Sequence, residues 1–208
     1  MSTTIHKQTY SGGQAYRYTV SDEAGGVRYV AEPAGLLLPR PTRLVEFFDS
    51  NQRRVGRLQP VEVAPWQYPK RYDLFAGEEA EEPHAVIYES MRLVDVLLLR
   101  LPRYELQLGQ HRYVALGSRY GECVYQIFRA PAEEAGKAGE ERAGPEVGEI
   151  EPAGPAGKTV FLTETSVGRI HCPKAGPSYV VETDAAPLRQ ALTVVAALVI
   201  LIDLEQTT

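Results

Sequence analysis

The sequence has few of the residues that mark disulfide scaffolds, metal sites or secreted proteins. Its 208 residues include only two cysteines, Cys123 and Cys172, and four histidines. Two cysteines are too few to form the disulfides that stabilise a small secreted domain. The histidines lack zinc-like spacing, so no metal is expected. The first 35 residues are polar, with no apolar core stretch, and neither end carries a lipidation motif. We therefore expect a cytoplasmic protein without a signal peptide.

Signatures of catalysis are also missing. The sequence contains no Gly-x-Ser-x-Gly nucleophile motif, phosphate-binding loop, dinucleotide fingerprint or His-Glu-x-x-His metal motif. Carboxylates are plentiful, but no pair stands in the apolar surroundings that raise the pKa of a general acid. The sequence therefore predicts a protein that is not an enzyme and needs no cofactor.

The net charge of −5 comes from one segment, residues 130–157, which holds seven Glu, one Lys and one Arg. The rest of the chain has 20 basic and 20 acidic residues, and so lacks the positive field typical of nucleic-acid binding. Ala, Pro, Glu and Gly supply 24 of the 28 residues in the segment, too polar a mixture to offset the entropy of ordering it. We predict a disordered acidic insert that is either a spacer or a loop recruiting a protein partner.

Outside the insert, the 12 Tyr and 33 Gly and Pro residues favour strands and turns over a helical bundle. Tight hairpins are predicted around Asp22–Gly26 and Asp49–Gln52, because Asp, Asn and Gly supply local hydrogen bonds and positive φ. The tyrosines suit cross-strand packing better than base stacking. Predicted strands cover residues 15–20, 27–32, 43–48, 54–59, 70–75, 85–90, 93–101, 103–108, 111–116, 122–128, 159–163, 166–171 and 178–183.

The C-terminal segment Pro187–Leu204 differs from the rest, because from Ala191 to Ile202 every residue except Thr193 is apolar. Proline at a first helical position predicts a helix start, with Thr183 or Asp184 upstream as a cap. A helix apolar all round is either buried in a core or spans a membrane. Its length of roughly 25 Å falls short of a hydrocarbon core of about 30 Å, which favours the buried helix; a C-terminal membrane anchor is the alternative.

A dozen strands and one apolar helix predict a single domain over residues 1–208. We expect an all-β fold: a closed antiparallel β-barrel of about 12 strands enclosing the hydrophobic C-terminal helix, because a can of about that many strands has room for one.

This plan resembles the tubby-like superfamily, which includes the LURP-one-related proteins and the phospholipid scramblases. The resemblance rests on the hairpins YTVSDEAGGVRYVAE and LVEFFDSNQRRVGRLQ, the strand GECVYQIF and the closing ALVILIDLEQ, with its pair Ile202-Asp203. It implies a barrel of about twelve strands around a C-terminal helix. The chain departs from the scramblases in two ways: it has no cysteine cluster, and Asp184 alone stands where they carry an acidic calcium-ligand stretch, so calcium-triggered scrambling is poorly supported.

A basic cluster is the best candidate for a binding site: Arg53, Arg54 and Arg57 follow the second hairpin turn, and Lys70 and Arg71 begin a later strand. If those strands pair, the five cations gather near one rim and contact phosphate. The alternative is that they solvate outward strand faces beside carboxylates. Arg40, Arg43, Arg100 and Arg103 are weaker candidates.

The function expected from these features is that of a monomeric intracellular binding protein that recognises anionic phospholipid headgroups at a membrane surface. The alternatives are a scramblase-like membrane protein and a protein-partner scaffold that uses the acidic insert.

Overall fold

The structure is a computed structural model that describes residues 2–10, 15–34, 36–37, 40–41, 43–61, 69–91, 101–118, 124–130, 166–171 and 178–206. Apart from Ala130, the predicted acidic insert lies outside these residues. So do both cysteines, the predicted strand 159–163, and the predicted strand 93–101 except for Leu101.

The described residues form fourteen strands, twelve of which close into one antiparallel barrel in the order β1-β14-β13-β12-β11-β10-β9-β8-β7-β6-β3-β2. Strands β4 and β5 form a separate two-stranded pair. The strands are β1 Ser2–Tyr10, β2 Ala15–Ser21, β3 Val27–Pro33, β4 Leu36–Leu37, β5 Arg40–Pro41, β6 Val45–Phe48, β7 Arg54–Pro60, β8 Lys70–Ala76, β9 Ala85–Ser90, β10 Arg103–Leu108, β11 His111–Ser118, β12 Val124–Arg129, β13 Ser166–His171 and β14 Ser178–Thr183.

The predicted closed antiparallel barrel of about twelve strands is confirmed. Eleven of its strands coincide with predicted ones to within a few residues, and the twelfth, β1, was not predicted. Strand β1 closes the barrel by pairing with both β14 and β2. It escaped prediction because its sequence, STTIHKQTY, is mostly polar. Among residues 2–9 only Thr3 and Ile5 are buried, and the strand is defined by its two neighbours rather than by its own apolar pattern.

The C-terminal region forms two helices, α1 Ala186–Gln190 and α2 Leu192–Gln206, where one helix over residues 187–204 was predicted. Pro187 lies in the first turn of α1, as expected. The break is at Ala191, whose backbone leaves helical geometry (φ −105°, ψ 61°) while its N–H donates back to the carbonyls of Pro187 and Leu188. Thr183 does not cap α1 directly; its hydroxyl accepts the N–H of Ala185, the residue before the helix.

The core contains residues of both the strands and α2. Alternate residues are buried in several strands, as Ala85, Ile87 and Glu89 are in β9, because successive side chains of a strand point to opposite faces. Every residue of α2 from Val194 to Leu204 is at most 4% exposed, and its apolar side chains join those of the strands in one hydrophobic cluster. Among the residues that the structure describes, no helix is long and apolar enough to cross a membrane.

The antiparallel order gives the barrel two different ends. The hairpin end carries the β2–β3 turn (residues 22–26), the β6–β7 turn (49–53), the β8–β9 loop (77–84) and the start of α1. The helix-tip end is the opposite one, where the last turn of α2 meets the C-terminal part of β1 and the start of β2.

Candidate functional site

The five basic residues of the predicted site are not gathered at one rim. Strands β7 and β8 do pair, but antiparallel, with Arg57 opposite Phe75 and Pro60 opposite Tyr72. This register places Arg53 and Arg54 at the hairpin end and Lys70 and Arg71 at the helix-tip end, about 25 Å apart along the strands. The prediction of a single five-cation cluster is therefore wrong: an antiparallel pair brings the start of one strand to the end of the other.

The hairpin-end half lies in acidic surroundings. Arg54 pairs with Glu46 on the neighbouring strand at 3.0 Å, and its second amino group reaches the carbonyl of Glu78 at 3.4 Å. Arg57 lies over the ring of Phe75, 4.7 Å from its centroid. The adjoining loop 77–84 contains four exposed glutamates, Glu78, Glu79, Glu81 and Glu82. An approaching anion would therefore meet more negative than positive charge here.

The helix-tip half, Lys70 and Arg71, presents positive rather than negative charge at its surface. Lys70 lies on the inward-facing side of β8, with its Nζ 3.5 Å from Glu89, whereas Arg71 points outward and binds Asp73 at 2.8 Å. The hydrogen bond to Asp73 raises the pKa of Arg71. The side chains of Lys70 and Arg71 are 24% and 42% exposed, and those of Glu89 and Asp73 only 0% and 15%. The solvent-facing part of these pairs is therefore cationic.

Glu89 is the centre of a buried polar network that also includes Arg43, a weaker candidate in the sequence. Arg43 Nη1 donates to Glu89 at 2.6 Å and also contacts the hydroxyl of Tyr72, while Nη2 binds Glu205 on the last turn of α2. Tyr72 in turn donates to Glu89 at 3.0 Å. Burial alone would lower the pKa of Arg43, but Glu89 and Tyr72 outweigh it and the pKa is raised. The guanidinium thus links the segment before β6 to both β9 and α2.

Tyr104 lies across from Glu89 in the register of β9 and β10 and is fully buried. Its hydroxyl has no hydrogen-bond partner among the described residues. Burial, and then the negative charge of Glu89, raise the pKa of this hydroxyl.

A second network surrounds Asp203, which is 4% exposed. Lys7 binds its Oδ2 at 2.7 Å, Tyr18 donates to the same oxygen at 2.7 Å, and the hydroxyl of Tyr179 donates to Oδ1. Lys7 also lies over the ring of Tyr16, 4.2 Å from its centroid. Burial, and then the charge of Asp203, raise the pKa of Tyr18. Two of the barrel's tyrosines, Tyr18 and Tyr179, thus donate their hydroxyls to one buried carboxylate.

A polar groove of about 460 Å³ lies at the hairpin end, between β1, β13 and β14. It combines three carboxylates with one guanidinium and three hydroxyls; its lining residues are Ser2, Glu23, Ser166, Gly168, Arg169, Glu182, Thr183 and Asp184. Within the described ranges, no group of three or more His, Cys, Asp and Glu residues could hold a metal ion.

Sequence reasoning did not single out the three carboxylates of the helix-tip networks, Glu89, Asp203 and Glu205, as site residues. Glu89 left a readable signal, because it occupies the third inward position of a strand whose other inward residues are Ala85 and Ile87. A carboxylate in such a position needs a partner. The partners of Glu89 are Tyr72, Lys70 and Arg43, which lie 17, 19 and 46 positions away in the chain.

Comparisons of the chain with models of protein families, with curated proteins and with solved structures found no match.

Proposed function

We propose that the protein is a non-enzymatic binding protein of the tubby-like type that contacts anionic phospholipid headgroups with the helix-tip end of its barrel. Lys70 and Arg71 are the contact residues in this proposal, because they are neighbours in the chain and lie on the inner and outer sides of the rim. A membrane surface lying against this end would meet both side chains.

The observation that carries the proposal is the difference in exposure within the ion pairs. At the helix-tip end the cations of Lys70 and Arg71 are more exposed than their partners Glu89 and Asp73. Arg54 and Glu46, at the other half of the predicted site, are almost equally exposed, at 30% and 32%. Phosphate groups are attracted to exposed ammonium and guanidinium groups, and the guanidinium adds a bidentate geometry.

The tubby-like assignment is supported by the closed twelve-stranded barrel and by the burial of α2. In this proposal α2 occupies the interior of the barrel, which accounts for the absence of a polar face on a helix of 15 residues. Ligands then bind to the rims and outer walls.

The test compares two double variants with the same change of charge. Lys70→Gln with Arg71→Gln should abolish binding to phosphatidylcholine vesicles that contain a phosphatidylinositol bisphosphate, whereas Arg53→Gln with Arg54→Gln should leave most of it. Wild-type binding should require the anionic lipid and weaken with salt, because exposed charges are screened. Thermal unfolding of each variant checks its fold. Equal binding by the two double variants would exclude Lys70 and Arg71 as the site.

A second candidate function, a scaffold for a basic protein partner, is favoured by the hairpin end. Its described connections 22–26, 49–53 and 77–84 contain seven carboxylates and only one cation, Arg53. The acidic segment 130–157 is part of the connection between β12 and β13, whose adjoining termini lie at this same end. A wild-type protein that bound neither neutral nor anionic vesicles would favour this second function over the first.

A further inference from the structure

Glu205, the last acidic residue of α2, is held by Arg43 at the helix-tip end. We propose that this carboxylate occupies a phosphate-binding position: Arg43 is a third cation of the headgroup site, and Glu205 competes with the phosphate for it. This inference rests on the proposed function, since it concerns the same end of the barrel. It adds one binding residue, Arg43, and one internal competitor, Glu205.

Arg43 and Lys70 already converge on one carboxylate. Arg43 Nη1 binds Glu89 Oε2 at 2.6 Å, and Lys70 Nζ lies 3.5 Å from Glu89 Oε1. Their side chains are 21% and 24% exposed, whereas Glu89 is completely buried between them. Two cations therefore reach solvent side by side above a carboxylate that does not. This is the arrangement of charge that a phosphate monoester would meet.

The two amino groups of Arg43 have different partners. Nη1 faces inward, to Glu89 and Tyr72, while Nη2 binds Glu205. Glu89 also accepts hydrogen bonds from Tyr72 and Lys70. It would therefore keep all its partners if Nη2 of Arg43 exchanged Glu205 for another group. Exchange of Glu205 for a phosphate oxygen therefore alters one edge of the guanidinium and leaves the buried network intact.

Glu205 is the exchangeable carboxylate of the helix tip, and Asp203 is the fixed one. Asp203 is held by Lys7, Tyr18 and Tyr179 and its side chain is 6% exposed, whereas the side chain of Glu205 is 27% exposed and Arg43 is its only ion-pair partner among the described residues. A carboxylate at a helix C-terminus also faces the negative end of the helix dipole, and no basic residue lies in the last turn of α2 to offset it. Release of Glu205 would therefore leave the helix anchored by Asp203.

The test is the affinity of Glu205→Gln for phosphatidylcholine vesicles with and without a phosphatidylinositol bisphosphate. Removal of the competing charge should tighten binding to the anionic vesicles about tenfold. Glu46→Gln is the matched control: Glu46 is 32% exposed and pairs with Arg54, 30% exposed, so the variant removes the same charge and frees an arginine of the hairpin-end half. Its affinity should stay close to that of the wild type. Inorganic phosphate and a soluble inositol phosphate, added as competitors, separate a free phosphate ligand from a lipid surface.

The outcomes distinguish this inference from the proposed function. If the wild type binds and Glu205→Gln binds no tighter than Glu46→Gln, the competition is refuted while headgroup binding stands. If neither the wild type nor Glu205→Gln binds, both are refuted. If only Glu205→Gln binds, the competition is established in its strongest form. A second readout uses the wild type alone: amide hydrogen exchange over residues 203–206 should speed up when vesicles are added, since Glu205 loses its partner.

Discussion

The two ends of the barrel satisfy their polar groups in different ways. At the hairpin end the partners are a few residues apart: Asp22 Oδ1 accepts the N–H groups of Ala24 and Gly26, and Asp49 Oδ1 accepts those of Asn51 and Arg53. In the two buried networks of the helix-tip end they are at least 17 residues apart. Tyr18 and Asp203 are separated by 185 residues, and Arg43 and Glu205 by 162.

This difference in chain separation coincides with a difference in burial. The turns of the hairpin end are exposed, so a lost hydrogen bond there is replaced by one to water. The carboxylates of Glu89 and Asp203 are shielded from solvent, so a lost partner leaves a charge or a hydroxyl without compensation. Lys7 belongs to β1, the strand that closes the barrel, and it also binds α2 through Asp203. The Lys7–Asp203 pair therefore links the strand that closes the barrel to α2.

The largest effect should follow from removing the charge of Asp203. Asp203→Asn removes the charge that binds Lys7, whose side chain is only 13% exposed, and should lower the free energy of unfolding by about 3–5 kcal/mol, because one charge of a buried ion pair is lost. Urea denaturation measures this value. Asp22→Asn is the control at the hairpin end. Asp22 also binds a cation, Arg28, but the side chain of Arg28 is 61% exposed and stays hydrated when the pair is lost, so this variant should cost far less. Equal losses in the two variants would contradict the difference drawn between the ends.

A smaller loss of stability is expected at Tyr18 and none at Tyr104, because only the hydroxyl of Tyr18 has a partner among the described residues. Tyr18→Phe removes a hydrogen bond to the charged Asp203 and should cost about 1.5–3 kcal/mol. Tyr104→Phe removes a hydroxyl without a partner in the described part of the chain, and should leave stability unchanged or slightly increased. Urea denaturation of the two variants compares identical chemical changes. A comparable loss in Tyr104→Phe would show that its hydroxyl is hydrogen-bonded after all.

Much of the fold could be predicted from the sequence, because it depends on local patterns. Alternating apolar residues and Asp-containing turns located eleven of the twelve barrel strands, and Pro187 marked the start of the first C-terminal helix. Strand β1 and the break at Ala191 were missed. The first is mostly polar and becomes a strand by pairing on both sides, and the second lies in a run of good helix formers with no local signal.

The candidate site could be predicted only in part. Lys70 and Arg71 are partly exposed cations, but the grouping of five was wrong because it depended on the direction in which β7 and β8 pair. The partners of Arg43 could not be read from the sequence at all. They come from β8, β9 and α2, and only the closed barrel brings these elements together.

The smallest effect concerns a difference between the two turns of the hairpin end. Gly25 and Gln52 occupy equivalent positions, each donating its N–H to the carbonyl of the aspartate three residues earlier, and both have positive φ, 80° and 60°. Glycine adopts this conformation without strain, whereas a side chain there costs about 1–2 kcal/mol. Gln52→Gly should therefore stabilise the protein by about 0.5 kcal/mol, once the greater flexibility of the unfolded glycine is deducted.

The reverse substitution, Gly25→Gln, sharpens this prediction. Open space surrounds the position of a Cβ at Gly25, so the variant introduces backbone strain without a steric clash. It should destabilise the protein by about 1 kcal/mol, since the strain outweighs the loss of unfolded-state flexibility. Thermal unfolding measures both variants. Changes of opposite sign in the free energy of unfolding would show that the backbone conformation of the two turns affects stability. A loss of stability in both variants would mean that the Gln52 side chain makes a stabilising contact of its own.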